Sequence, residues 1–192
     1  MPSESKTPSL IECLRKLVEV FEEENIDYMF IGGLALPAYG EIRATQDVDV
    51  AVVVTNLQTL EHLFNELAKR NFELTTEPML EAACIYVLDR KNMVDVEIWL
   101  KPDGIKFDKE LLKRRQRREI PNVEVWVIGP EDFIVNKLSR ADRRARDESD
   151  VVSVLIGQRG KLDREYLEKR AKQFGVFPLL QVLENKVKRI AK

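Results

Sequence analysis

The chain is 192 residues long, 44% hydrophobic and 33% charged, with 31 Lys and Arg against 33 Asp and Glu for a formal net charge of -2. That length and apolar content allow one folded domain with a helical appendage and exclude disorder as the default, and the near-cancelling charge excludes a generic polyanion binder. Two distant cysteines and a single histidine give no C-x-x-C, Cys-His pair or zinc spacing, no stretch approaches the roughly 20 apolar residues of a membrane span, and the polar start lacks a signal pattern, so a cytoplasmic protein without a membrane partner is expected.

Leu10, Leu14, Leu17, Val18 and Phe21 recur at helical spacing and predict a first helix ending near Glu24. Tyr28 to Ile31 reads as a short strand, followed by Gly32-Gly33 and a small-residue helix from Leu34 to Tyr39 that Gly40 stops. Polar residues Glu41 to Gln46 lead into a strand from Asp47 to Val54. Asn56 is placed to cap a helix ending near Arg70, whose apolar stripe of Leu60, Leu63, Phe64 and Leu67 leaves His62 at the surface. Phe72 to Leu74, Cys84 to Leu88 and Val94 to Leu100 read as strands, the last two joined by a turn around Arg90-Lys91-Asn92. A charged helix from Asp108 to Arg118 and a strand from Val123 to Ile128 come next. Gly129-Pro130-Glu131-Asp132 opens a helix, with proline in its first turn and acids complementing its dipole. Only helices follow: Phe133 to Arg140, Ser149 to Leu155, Asp163 to Phe174 and Pro178 to Ile190. The break near Gly129 predicts an α/β core over residues 1–128 and a helical extension packed on it over 129–192.

Asp47 and Asp49 alternate with valines, so both carboxylates share one strand face roughly 7 Å apart. Aspartate is depleted in strands and like charges on one face repel. A lone D-x-D is equally well a wet strand face, but Val94-Asp95-Val96-Glu97-Ile98 repeats the pattern. If the two strands are neighbours, up to four carboxylates converge, a set that suits a hard cation such as magnesium. Gly32-Gly33, at a strand-to-helix junction, lets backbone N–H groups approach an anion. Two basic runs, Lys113 to Arg118 and Arg140 to Arg146, either grip a polyanion or are solvated faces balanced by Glu110, Asp142 and Glu148.

Ile31-Gly32-Gly33, Asp47-Val48-Asp49 and Val94-Asp95-Val96, with Arg43-Ala44-Thr45 before the acids, resemble the nucleotidyltransferase superfamily that includes DNA polymerase beta and the minimal nucleotidyltransferases. The resemblance covers Tyr28 to Leu100. It implies a mixed α/β (α+β) sheet flanked by helices and an enzyme that moves a nucleoside monophosphate from a nucleoside triphosphate to a hydroxyl of RNA, protein or a small molecule. It also implies magnesium, with manganese as an alternative, held by Asp47, Asp49 and Asp95, and a nucleotide site formed by Gly32, Gly33, Arg43 and Thr45. Pro130-Glu131-Asp132-Phe133 through Lys137, then Arg144, Asp147 and Asp150, are similar to stretches of AbiEii-type toxin nucleotidyltransferases. That subgroup implies catalytic roles for Lys137 and Asp147 and partners drawn from tRNA or other RNA or from a toxin–antitoxin pair. A protein- or RNA-binding module on the same fold, with little or no catalysis, is the competing expectation.

Overall fold

The computed structural model describes residues 7–40, 45 and 47–190. Among them, seven strands form one mixed sheet: β1 (Tyr28–Phe30), β2 (Val48–Val52), β3 (Phe72–Leu74), β4 (Cys84–Asp89), β5 (Val94–Trp99), β6 (Gln116–Ile120) and β7 (Val123–Val127), in the order β3-β4-β5-β2-β1-β7-β6. The helices are α1 (Thr7–Glu23), α2 (Leu57–Lys69), α3 (Lys109–Arg114), α4 (Pro130–Ser139), α5 (Ala145–Gly157), α6 (Arg164–Gln173) and α7 (Phe177–Ile190), with a 3-10 segment over Gly32–Tyr39. The chain divides into two compact units. One contains the described residues of Met1–Leu34, Ala44–Lys101 and Gln116–Val127, hence every strand with α1 and α2; the other contains those of Ala35–Arg43, Pro102–Arg115 and Ile128–Lys192.

In the first unit, strand alternation sorts side chains onto two faces. Val48 and Val50 of β2 stand opposite Val96 and Ile98 of β5, and Phe30 of β1 stands opposite Val50, all of them buried. This apolar face lies under α1, whose Phe21 ring meets Tyr28 with centroids 4.9 Å apart. The α2 stripe of Leu60, Leu63, Phe64 and Leu67 is buried as its period requires, and Asn56 caps the helix by accepting from the Thr59 N–H at 2.8 Å. One charge enters this core. Asp89, at the end of β4, is fully buried, receives Lys16 of α1 at 2.7 Å, and accepts the Asn92 side-chain amide at 2.8 Å. Burial opposes its ionisation, but the hydrogen bonds from Asn92 and Lys16 outweigh it and hold the carboxyl below the ordinary aspartate range.

The helix expected from Asp108 to Arg118 is shorter than that. Asp108 caps α3 by accepting the Leu111 N–H at 2.8 Å, and the chain then turns into β6, which forms an antiparallel hairpin with β7 in the register Gln116↔Val127. Pro121-Asn122 lies between the two strands, with Asn122 at a left-handed φ of 62°. That two-residue loop suits a hairpin and stops any helix, and it outweighs the helical propensity of the preceding charges.

In the second unit, α4 packs against α5 and α6, and α7 packs against both of those helices. Each residue of α4 from Pro130 to Leu138 is buried, polar ones included. Their groups are paired accordingly. Glu131 accepts the Asp163 N–H at 2.8 Å, Asp132 accepts the Tyr166 hydroxyl at 2.9 Å and Arg170 Nε at 3.1 Å, and Asn136 donates to the Asp103 carbonyl at 2.7 Å. No helix among the described residues is long and apolar enough to cross a membrane.

Candidate active site

β2 and β5 lie side by side and parallel, so their alternating acids occupy the same sheet face, opposite the one under α1. Asp49 stands directly across from Glu97, both half-buried, while Tyr86 of β4 lies beyond Glu97. Asp47 immediately precedes Val48, and Asp95 immediately precedes Val96, the partner of Val48; both acids are exposed. Glu97, which the alternation alone could not separate from Asp95, is therefore the cross-strand neighbour of Asp49. Their field is felt at Cys84, where burial first and then the charges of Glu97 and Asp49 push the thiol up to about 12. Cys84 and the buried Cys13 are free thiols.

The glycine pair meets these acids through the backbone. Ile31 donates its N–H to the Asp49 carbonyl at 2.9 Å, which brings the end of β1 onto β2. Gly32 follows with φ +61°, and a Cβ there would lie 2.0 Å from Asp49 Oδ2, so only glycine leaves room for that carboxylate. At Gly33 a Cβ would come within 2.9 Å of Thr45 Oγ1, and the same hydroxyl donates to the Asp47 carbonyl at 3.2 Å. Gly32, Gly33, Thr45, Asp47 and Asp49 thus form one connected backbone and side-chain patch. Arg43, expected at the nucleotide, lies outside the described residues.

Oxygen-only donors beside a glycine cradle fit a hard divalent cation. The strand acids do not close into a tight cage, however. Among the described residues, the side chains that bring three donor atoms within 4.8 Å of one another are Glu24, His62 and Glu66.

Lys137 and Asp147 belong to the second unit, where they meet. Lys137 Nζ lies 2.9 Å from Asp147 Oδ1 and 3.1 Å from Asp150 Oδ2, and all three residues are buried. Asp147 also accepts the Arg144 N–H at 2.9 Å in the first turn of α5. Burial opposes its charge, but the Arg144 backbone and Lys137 prevail and hold its carboxyl below the ordinary range. The R-x-x-D-x-x-D spacing thus places its two aspartates around one lysine, and Asp150 joins a cluster in which the sequence had singled out Lys137 and Asp147.

Several arginines of the basic runs are engaged locally. Arg114 pairs with Asp163 at 2.7 Å and lies over the Tyr166 ring; Arg117 pairs with Glu22 at 3.1 Å and lies over Trp126. Arg140 contacts Asp142 at 3.0 Å, and Arg143 donates to the Leu138 carbonyl at 2.8 Å.

A mixed sheet with a glycine pair at the end of one strand and alternating acids on two parallel neighbours defines a nucleotidyltransferase domain. The family described as nucleotidyl transferase of unknown function (DUF2204) matches residues 10–184, and the chain belongs to it. The expected nucleotidyltransferase fold and enzyme class follow from that membership. Among solved structures, the lincomycin-bound lincosamide antibiotic adenylyltransferase LnuA is similar over 77% of this chain and 94% of its own, at 13% identity and a TM-score of 0.53. ANT(2")-Ia in complex with adenylyl-2"-tobramycin is similar over 86% of this chain and 96% of its own, at 14% identity and a TM-score of 0.56. At such identities the shared property is the fold. No curated protein matches the sequence.

Proposed function

We propose that the protein transfers a nucleoside monophosphate from a nucleoside triphosphate such as ATP to a hydroxyl acceptor, with magnesium or manganese bound at Asp47, Asp49 and Asp95. The observation that carries this is the placement of acids on one face of parallel β2 and β5, beside a glycine whose missing side chain accommodates Asp49. A divalent cation there supplies charge neutralisation for the triphosphate and for the transition state. The rest falls to the chain's own groups. Backbone at Gly32 and Gly33 faces the β and γ phosphates, Thr45 and Arg43 contribute to nucleotide binding, and Asp95 orients the acceptor hydroxyl and accepts its proton. The acceptor oxygen bonds to the α phosphorus as the bond to the bridging oxygen breaks, and pyrophosphate leaves. For Lys137 and Asp147, a catalytic role and the toxin–antitoxin setting rest on the subgroup resemblance. What supports a joint role of the two residues is that they meet in one buried cluster of the second unit.

A small-molecule acceptor is favoured over RNA because arginines in both basic runs have local partners, and because of the two neighbours named above one is an antibiotic adenylyltransferase and the other holds adenylyl-2"-tobramycin. The test is incubation with each α-labelled nucleoside triphosphate and magnesium in the presence of a small-molecule extract or total RNA. Pyrophosphate release with label in the low-mass fraction, absent in Asp47→Asn/Asp49→Asn, is expected. No pyrophosphate release from any triphosphate with either acceptor pool would overturn it.

A further inference from the structure

Away from the strand acids, the first unit carries a second group of donors at its surface. Glu24 follows the last residue of α1, and His62 and Glu66 stand one turn apart on α2, which turns both toward the same side. One donor atom from each lies within 4.8 Å of the other two, and His62 Nε2 is 2.6 Å from Glu24 Oε2. Metal bonds of about 2.0 to 2.2 Å to nitrogen and oxygen span up to about 4 Å across an ion, so closure needs only small side-chain rotations.

We propose that Glu24, His62 and Glu66 bind a zinc-type first-row divalent cation, with water completing the shell. The donor chemistry selects the ion: imidazole suits zinc or nickel, whereas magnesium and calcium prefer an all-oxygen shell. Access is open, since the His62 side chain is 57% exposed and Glu24 and Glu66 are 24% and 14% exposed. Glu66 now pairs with Lys69, which is 68% exposed and yields its place at little cost, and with Arg70 at 3.6 Å, which keeps its pair with Glu23 when an ion takes Glu66. Binding ties the turn after α1, where Asn25 adopts a φ of 53°, to the middle of α2 and stabilises the unit through linkage. The spacing of cysteines and histidines could not show this site, because two of its ligands are carboxylates and one comes from another element. It stands whether or not the strand acids catalyse transfer.

The test is titration of zinc into the full chain, followed by calorimetry and thermal unfolding, for wild type, His62→Gln, Glu24→Gln and Asp47→Asn/Asp49→Asn. Wild type should bind zinc and melt higher. His62→Gln and Glu24→Gln, both at exposed or half-exposed positions that tolerate the change, should weaken zinc binding roughly tenfold or more, while Asp47→Asn/Asp49→Asn keeps it. Magnesium should not reproduce the His62-dependent shift. Absence of zinc binding in wild type, or unchanged binding in His62→Gln and Glu24→Gln, would overturn the site.

Discussion

Gly32 shows how far one residue can be read in advance. Its neighbour and position at a strand end were visible in the sequence, but not the reason for it, since the atom it makes room for belongs to Asp49, far along the chain. Gly32→Ala should therefore lose about 1 to 2 kcal/mol to backbone strain and further stability to the clash. Gly160→Ala, at a φ of +77° with nothing within 4 Å, should lose only the first part. Urea unfolding of both variants separates the two contributions, and equal losses would deny the close approach to Asp49. The acids divide in the same way. Alternation revealed which strands carry them, whereas the pairing of Asp49 with Glu97 depends on a register that no local pattern encodes. In the transfer assay Asp49→Asn and Asp95→Asn should each reduce turnover about a hundredfold or more, and Glu97→Gln should cost about tenfold or less. The opposite ranking of Asp95→Asn and Glu97→Gln would move the third acid to Glu97.

At the level of elements, long periodic segments were legible and the hairpin was not. α2 and its Asn56 cap follow from stripe and cap chemistry, but β6 was hidden within a charged run whose neighbours favour helix, and Pro121-Asn122 was the overlooked signal. Buried charges were equally hidden, because nothing local distinguishes Asp89 or Lys137 from a surface residue. Asp89 joins α1 to the end of β4, and its lowered carboxyl contributes stability that is fully present above the ordinary aspartate value of about 3.9 and is lost as pH falls through the folded value. Asp89→Asn should cost about 3 kcal/mol at neutral pH by leaving Lys16 without its partner, and its stability should fall less steeply in acid than that of wild type. Denaturant melts between pH 7 and pH 2 would show this. Lys137→Met should likewise cost about 3 kcal/mol or more, because Asp147 and Asp150 are left facing each other in the interior. Adding Asp147→Asn and Asp150→Asn should restore part of the loss, and additive losses would mean the three do not act together.

For the whole chain, the α/β character and the helical carboxyl-terminal third could be read from the order of patterns, and the mixed sheet from the resemblance of the motifs. The interleaving could not: residues 35–40 and 102–115 fall in the unit of the late helices, and that depends on contacts between segments distant in sequence. The overall charge balance, by contrast, survives in three dimensions as arginines matched to nearby acids. Binding to a pooled tRNA preparation should accordingly be no tighter than the nonspecific range of about 10⁻⁴ to 10⁻⁶ M near physiological salt, as measured by fluorescence anisotropy. A submicromolar affinity with a steep salt slope would reverse that expectation. The parallel pairing of β2 with β5 has one more consequence, for tolerance of error in evolution. A slip of one residue between these strands would turn every acid of one strand into the oily side of the sheet, whereas a slip of two would exchange Glu97 for Asp95 across from Asp49 and leave the acidic face intact. Because each strand carries its acids two apart, an insertion or deletion inside either strand keeps this face acidic only when its length is an even number of residues.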